Sequence, residues 1–279
     1  IYTLSLHDAL PIFGAMALYF CSLASGSSGN SYLVRSETTA LLVDCGISGK
    51  KIIQRLKESG TEPEEIKGLL LTHEHIDHVK SVSVLNKKMP GMFNYSNIET
   101  YLCVADKIPD GRNIVFENGD IFDIGDIRVS TCSTSHDAEN AVCYSFERGD
   151  SRISILTDTG YISEELLMHI KDSDIIILEA NHDENVLHMC KYPYHVKRRI
   201  LSDKGHLSND AAAECIVSLQ RDFPKKRIIL LAHLSKENNS PEMAMISVKS
   251  YLQENGIYLG GDLDMKVLMR DKASEVYKL

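Results

Sequence analysis

The sequence predicts an α/β protein whose chemistry gathers at the ends of its strands. Three observations predict it. Short apolar runs alternate with stretches of helical periodicity. The run Gly68-Leu69-Leu70-Leu71 leads directly into Thr72-His73-Glu74-His75-Ile76-Asp77-His78. Three further metal-type donors, His136, Asp158 and His233, each stand just past another such run.

The chain has 279 residues, enough for one large α/β domain or two small ones. Apolar content of 43% and charged content of 25% are ordinary for a soluble globular protein, which excludes disordered and fibrous classes. No apolar stretch approaches roughly 18 residues, so no membrane span is expected. The seven cysteines are scattered, with no Cys-x-x-Cys, and read as reduced thiols of a cytoplasmic protein. The net charge of −9 argues against a broadly basic surface, although divalent ions would add positive charge locally. Residues 1–15 lack an initiator Met and a basic n-region, and His7, Asp8 and Pro11 break their apolar run. They resemble translated sequencing-adapter read-through. Residues 1–15 are therefore expected to be a non-native extension and residues 16–279 a single domain.

From Met16 the pattern is strand (17–23), small-residue turn, strand (32–35) and strand (40–44), an antiparallel hairpin opening. The turn Ala24-Ser25-Gly26-Ser27-Ser28-Gly29-Asn30-Ser31 suits an anion nest in which backbone N–H groups, with Ser28 or Asn30, face the cleft. Residues 49–60 form an amphipathic helix with Ile52, Ile53 and Leu56 on one face. Residues 79–88 read as one helix, and 90–104 carry no clear period. Three short strands follow between Arg112 and Cys132, then strands 141–148 and 152–157 joined at Gly149-Asp150. Later strands are read at 174–178 and 227–231, with a helix at 210–220 between them.

Neutral imidazoles and a carboxylate suit zinc, manganese or iron. Helical spacing would turn His73 and His75 apart, so they are expected to share a loop, with Asp77 and His78 returning from the next turn. Four donors packed this closely cannot all serve one tetrahedral ion. The pattern suggests two metals, His73 and His75 on one, Asp77 and His78 on the other. A lone His or Asp in a loop is usually a cap or a solvated side chain. Three of them at strand ends, after a His-x-His-x-Asp-His run, are read as ligands.

This motif, with His136, Asp158 and His233 in order behind it, resembles the metallo-β-lactamase superfamily. The resemblance implies a four-layer αβ/βα sandwich, two mixed β-sheets flanked by helices, with the metal site at one edge. It implies that His73, His75 and His136 hold one ion, that Asp77, His78 and His233 hold the other, and that Asp158 bridges. It also implies a metal-bound hydroxide as nucleophile, with Asp77 hydrogen-bonded to it.

Three features narrow the branch. The strand ending in Glu179-Ala180-Asn181-His182-Asp183 resembles the nuclease branches, where Glu179 would orient a ligand or catalytic His and His182 would meet substrate. Gly205-His206-Leu207-Ser208 precedes a helix N-terminus and resembles the element that places a His on the scissile phosphate in the RNase J and tRNase Z groups. His206 then joins Asp77 and Glu179 as catalytic, and Ser208 joins the substrate set. Residues 189–206 carry five Lys/Arg against Asp203 alone, a local charge of +4, interleaved with Tyr192 and Tyr194. Arg198 and Arg199 of this run are the candidate phosphate contacts. Together these motifs resemble the YycJ/WalJ-type exonuclease group. Only 74 residues separate Asp158 from His233, too few for the large inserted domain of RNase J-like nucleases. The implied activity is a dinuclear-metal-dependent phosphodiesterase acting on DNA, a 5′-to-3′ exonuclease, with DNA preferred to RNA as partner. The alternatives are a small ester or thioester hydrolase of glyoxalase II or lactonase type, or an RNA-processing nuclease.

Overall fold

The central strands of each sheet bury both faces, and that fixes the layers. In the computed structural model, which describes residues 17–279, two seven-stranded sheets lie face to face. The expectation for residues 1–15, and for a start at Met16, lies outside the described residues. In the first sheet β1 (Tyr19–Ala24), β2 (Ser31–Arg35) and β3 (Ala40–Val43) run antiparallel. Helix α1 (Gly49–Glu58) then crosses to β4 (Ile66–Leu70), parallel to β3. The short helices α2 (Ile76–Val79) and α3 (Val82–Lys88) lead to β5 (Phe93–Ser96). Helix α4 (Ile98–Val104) leads to β6 (Asn113–Val115).

The second sheet opens as an antiparallel meander of β7 (Ile121–Ile124), β8 (Ile127–Ser133), β9 (Val142–Arg148) and β10 (Ser151–Leu156). It continues in parallel through α5 (Glu164–Ile170) and β11 (Ile175–Glu179). Helices α6 (Glu184–Met189), α7 (Tyr194–Ile200) and α8 (Asn209–Asp222) follow, then β12 (Arg227–Ala232). Helix α9 (Pro241–Glu254) returns to β13 (Leu263–Val267), and β14 (Tyr277–Lys278) closes onto β1 in the first sheet.

Alternation along each strand sorts the side chains. Leu41, Val43, Ile175, Ile177, Leu230 and Ala232 point into the space between the sheets. Leu42 points outward to Ile52 and Leu56 of α1. Ile176 and Leu178 point outward to Ile216 of α8 and Val248 of α9. The result is the four-layer sandwich of two mixed sheets flanked by helices that the resemblance implied. No helix among the described residues is long and apolar enough to cross a membrane.

Two local readings are corrected. The single helix expected over residues 79–88 is broken. The carbonyl of His78 accepts the N–H of Cys45, and Ser81 N–H donates to the Cys45 carbonyl, so the backbone pairs across to the β3 end instead of continuing the helix. Gly46 makes this approach possible, since a Cβ there would lie 1.5 Å from the Asp77 carbonyl oxygen. Residues 90–104, left without a period, hold β5 and α4. Their signal is masked because buried positions carry polar residues: Asn94 pairs with Asn86, and Asn97 caps α4 by accepting from Thr100 N–H.

Ile177 is wholly buried between the sheets, whereas Ile246 on α9 is 64% exposed. Ile177→Ala is expected to cost about 3 kcal/mol in urea unfolding, and Ile246→Ala less than about 0.5 kcal/mol.

Candidate metal centre

The cluster is built where strands of both sheets end. Leu71 continues from β4, and its carbonyl accepts the hydroxyl of Tyr144 on β9 at 2.6 Å. The Thr72 carbonyl accepts Val142 N–H at 3.1 Å, so the loop that follows is pinned to the second sheet. Thr72 donates through both its N–H and its hydroxyl to the two oxygens of Asp44, each at 2.9 Å. That hydroxyl lies 2.9 Å from His73 Nδ1 and accepts from it, which leaves His73 Nε2 free to bind a metal ion. His78 Nδ1 donates to Asp44 at 2.7 Å and likewise frees its Nε2. His73 and His75 share the loop, and Asp77 and His78 return from α2, as expected from their spacing.

The second sheet supplies the remaining donors. His136 follows β8, and its Nδ1 donates to the Gly205 carbonyl at 3.1 Å, leaving Nε2 3.3 Å from His75 Nδ1. Asp158 follows β10 and His233 follows β12, and both take positive φ, 60° and 54°. Glu179 closes β11, wholly buried. Its Oε1 accepts from His206 Nδ1 and from His233 Nδ1, both at 2.8 Å, and its Oε2 accepts Thr159 N–H at 3.1 Å. Gly205 lets the chain before His206 press onto the end of α7, since a Cβ there would meet the Ile200 carbonyl oxygen at 2.0 Å.

His73, His75 and His136 bring one ligand atom each to within 4.8 Å of one another, and so do Asp77, His78 and His233. Asp158 groups in the same way with His73 and His78, and separately with Glu179, His206 and His233. Three buried atoms aimed into this space, His73 Nε2, His233 Nε2 and Asp158 Oδ2, have no hydrogen-bond partner. Such atoms are costly unless something binds them, and nitrogen and carboxylate donors at this density suit divalent cations. The residues therefore fit metal ions. Burial opposes charge on Asp77, but the rings of His233, whose Nε2 lies 3.6 Å away, and of His78 outweigh it and hold the carboxyl below its usual range. Burial also opposes charge on His78, yet the carboxylates of Asp158 and Asp44 hold its ring up to about 9. Burial, with His78 and His136 beside it, holds His73 neutral.

Several expected substrate contacts lie elsewhere. Asn30 is wholly buried: its Oδ1 accepts Gly26 N–H, and its amide nitrogen lies 3.2 Å from His78 Nε2. It shapes the loop instead of meeting substrate. The loop is no open nest either, because Ser27 N–H donates to Leu234 and Gly29 N–H to Gly26. Ser28 remains exposed at its tip. His182 is 1% exposed, and burial holds its ring down to about 4, so it is a neutral interior group. Ser208 is the cap of α8, accepting Ala211 N–H at 3.2 Å. Arg199 is already paired with both oxygens of Asp137, beside His136, while Arg198 is exposed and stacks over Tyr194. Glu179 reaches no solvent and acts through His206 and His233. Asp44 and Thr72 were missed. Their signal was available, an acid directly past the apolar run Leu41-Leu42-Val43 and a hydroxyl directly before the first ligand.

The beta-lactamase superfamily domain family matches residues 39–233. The chain is 38% identical over 247 residues to exodeoxyribonuclease YycJ of Bacillus anthracis, covering 88% of this chain and 93% of that protein. It is 38% identical over 262 residues to exodeoxyribonuclease WalJ of Streptococcus pneumoniae, covering 92% and 96%. Among solved structures it resembles the metallo-beta-lactamase fold protein YhfI of Bacillus subtilis with a TM-score of 0.72 at 14% identity, covering 94% of this chain and 100% of that one, a likeness of fold.

Asp44 has φ of 59° and feeds both halves of the motif. Asp44→Ala is expected to weaken metal binding by about 10–100-fold in competition with a chromophoric chelator. Asp44→Asn, which tolerates the left-handed backbone, is expected to lose less. Because His78 is held up to about 9 and ligation needs the neutral ring, metal affinity should rise with pH between 6.5 and 9. A flat profile would contradict the assignment.

Proposed function

The chain belongs to the metallo-β-lactamase superfamily and is a metal-dependent hydrolase; on that footing we propose that it is a phosphodiesterase acting on DNA, an exonuclease working from a 5′ end with two divalent ions, zinc, manganese or iron. Residues 16–279 then form one catalytic domain. The observation that carries the reading is His206, whose Nδ1 is held by Glu179 beside the donors while its side chain keeps 16% exposure. An ester hydrolase using only the metal ligands has no need of that imidazole, whereas a dianionic phosphorane-like transition state gains from one more donor. The relatives of matching length, named as exodeoxyribonucleases, support DNA as the substrate. The seven cysteines, all free, fit a reducing cytoplasm.

When bound, the two ions supply charge neutralisation at the phosphate and lower the pKa of water. The side chains supply the rest. His73, His75 and His136 would hold one ion and Asp77, His78 and His233 the other, with Asp158 grouped with donors of both trios. Glu179 fixes the tautomer of His206, so that Nε2–H donates to a non-bridging phosphate oxygen. Asp77 Oδ2, held ionised, accepts a hydrogen bond from the attacking water. Arg198 on the open face of α7, with Ser28 at the loop tip, is placed for more distant phosphates.

The test is degradation of end-labelled linear double-stranded DNA by the protein with Mn²⁺ and then Zn²⁺, with single-stranded DNA, RNA and a thioester in parallel. Mononucleotide release from one labelled end, absent in Asp158→Ala, is expected. Turnover of the thioester with no nucleic-acid cleavage would move the protein to the small-ester branch. His206→Ala should lose about 10²–10³-fold in rate with its metal content intact, while Asp158→Ala should lose metal. Equal metal content in the two variants would overturn the division of roles.

A further inference from the structure

We propose that a second basic wall, centred on Arg270, carries the phosphate backbone of DNA past the metal centre on the side of Asp77, His78 and His233. This rests on the nuclease reading above. Two clefts adjoin there and share Ser28, Arg270 and Asp271. The larger, about 720 Å³, is also lined by Lys236 and Lys272. The smaller, about 180 Å³, is also lined by Lys51 and Lys80. With Arg55, which also lines the smaller cleft, these are six cations facing a single lining acid, Asp271, in a chain whose net charge is −9.

The lysines are uncommitted. Lysine ion pairs among the described residues involve Lys57, Lys171, Lys225 and Lys266 only. Lys51, Lys80, Lys236 and Lys272 are all exposed. Arg270, by contrast, is fixed. Its Nη2 donates to the Leu234 carbonyl at 2.7 Å, and its guanidinium packs against Gly26, where a Cβ would stand 2.9 Å from Nε. Behind it Arg55 reaches the carbonyl oxygens of Leu23 and Asp271 and braces the segment. One anchored guanidinium among exposed ammoniums suits a row of phosphates: the arginine sets position, and the lysines add sequence-independent attraction.

The wall is joined to the ligands themselves. Leu234 follows His233, and its carbonyl also accepts Ser27 N–H at 3.3 Å. Ser25, which lines the larger cleft, accepts the His233 N–H on its hydroxyl at 3.0 Å. Lys80 lies two residues past His78. The basic helix α7 stands beside the other group: its Arg199 pairs with Asp137, next to His136, and Gly205, in the loop after it, accepts from His136 Nδ1. Cations thus flank both trios, and a strand entering along one wall reaches the centre and leaves along the other.

The experiment uses the metal-loaded full chain and two double variants, Lys51→Ala with Lys80→Ala, and Lys236→Ala with Lys272→Ala. Steady-state rates are measured across a salt series on a DNA oligonucleotide and on bis(p-nitrophenyl) phosphate, which occupies the metal centre alone. Each pair is expected to raise KM for the oligonucleotide about 10-fold and to flatten its logarithmic salt dependence by about 2. Turnover of the small diester and thermal midpoints should be unchanged. An oligonucleotide KM and salt slope equal to those of the unaltered protein in both pairs would overturn the wall. So would an equal fall in turnover of the small diester. Unaltered protein that cleaves thioester but no DNA would defeat the nuclease reading and the wall with it. DNA cleavage with both pairs unaffected would defeat the wall alone.

Discussion

Two buried carboxylates govern the rest of the structure. Asp44 stands directly past β3 of the first sheet and Glu179 closes β11 of the second, and both are wholly inaccessible. A buried carboxylate is costly unless its oxygens are satisfied, and each of these accepts three hydrogen bonds. Asp44 takes Thr72 N–H, the Thr72 hydroxyl and His78 Nδ1–H. Glu179 takes Thr159 N–H, His206 Nδ1–H and His233 Nδ1–H. Each bond to a ring favours one tautomer and leaves the other nitrogen free. One carboxylate orders the first half of the ligand set, directly at His78 and through Thr72 at His73. The other orders His233 and His206, and through Thr159 the turn that presents Asp158.

The backbone is constrained to match. Asp44, Asp158 and His233 are the non-glycine residues with positive φ among the described residues, and all three belong to this centre. A left-handed residue at a strand end swings its side chain off the sheet plane and into the seam between the sheets. It costs on the order of 1 kcal/mol or more, which the surrounding hydrogen bonds offset. The two sheets meet at the same place, through Tyr144 to Leu71 and Val142 to Thr72. Packing of the sandwich and geometry of the site are therefore one constraint, and strain at the site is held by the whole interface.

Much of the site was legible because its donors are dense in sequence. Four donors within six positions after a buried strand have no ordinary structural use, and that density made His136, Asp158 and His233 readable as their complement. The two-sheet sandwich followed from the same resemblance, and the strand positions from apolar runs. What escaped depends on tertiary contacts. A single acid after a strand, such as Asp44, looks like any turn residue until His78 is seen beside it. The break between α2 and α3 depends on Cys45, more than thirty positions earlier. Asn30, His182 and Ser208 are polar residues in promising motifs, but burial decides their role, and burial belongs to the fold. Arg270 and the four lysines of the second wall are scattered along the chain, so no local charge run announces them.

The central claim is that two trios of donors hold two ions close enough to share Asp158. Titration of metal-free protein with Mn²⁺, followed by electron paramagnetic resonance, tests it most directly. The account predicts saturation at two equivalents and an exchange-coupled multiline spectrum that is lost in Asp158→Ala. Saturation at one equivalent, with the six-line signal of an isolated ion, would contradict it.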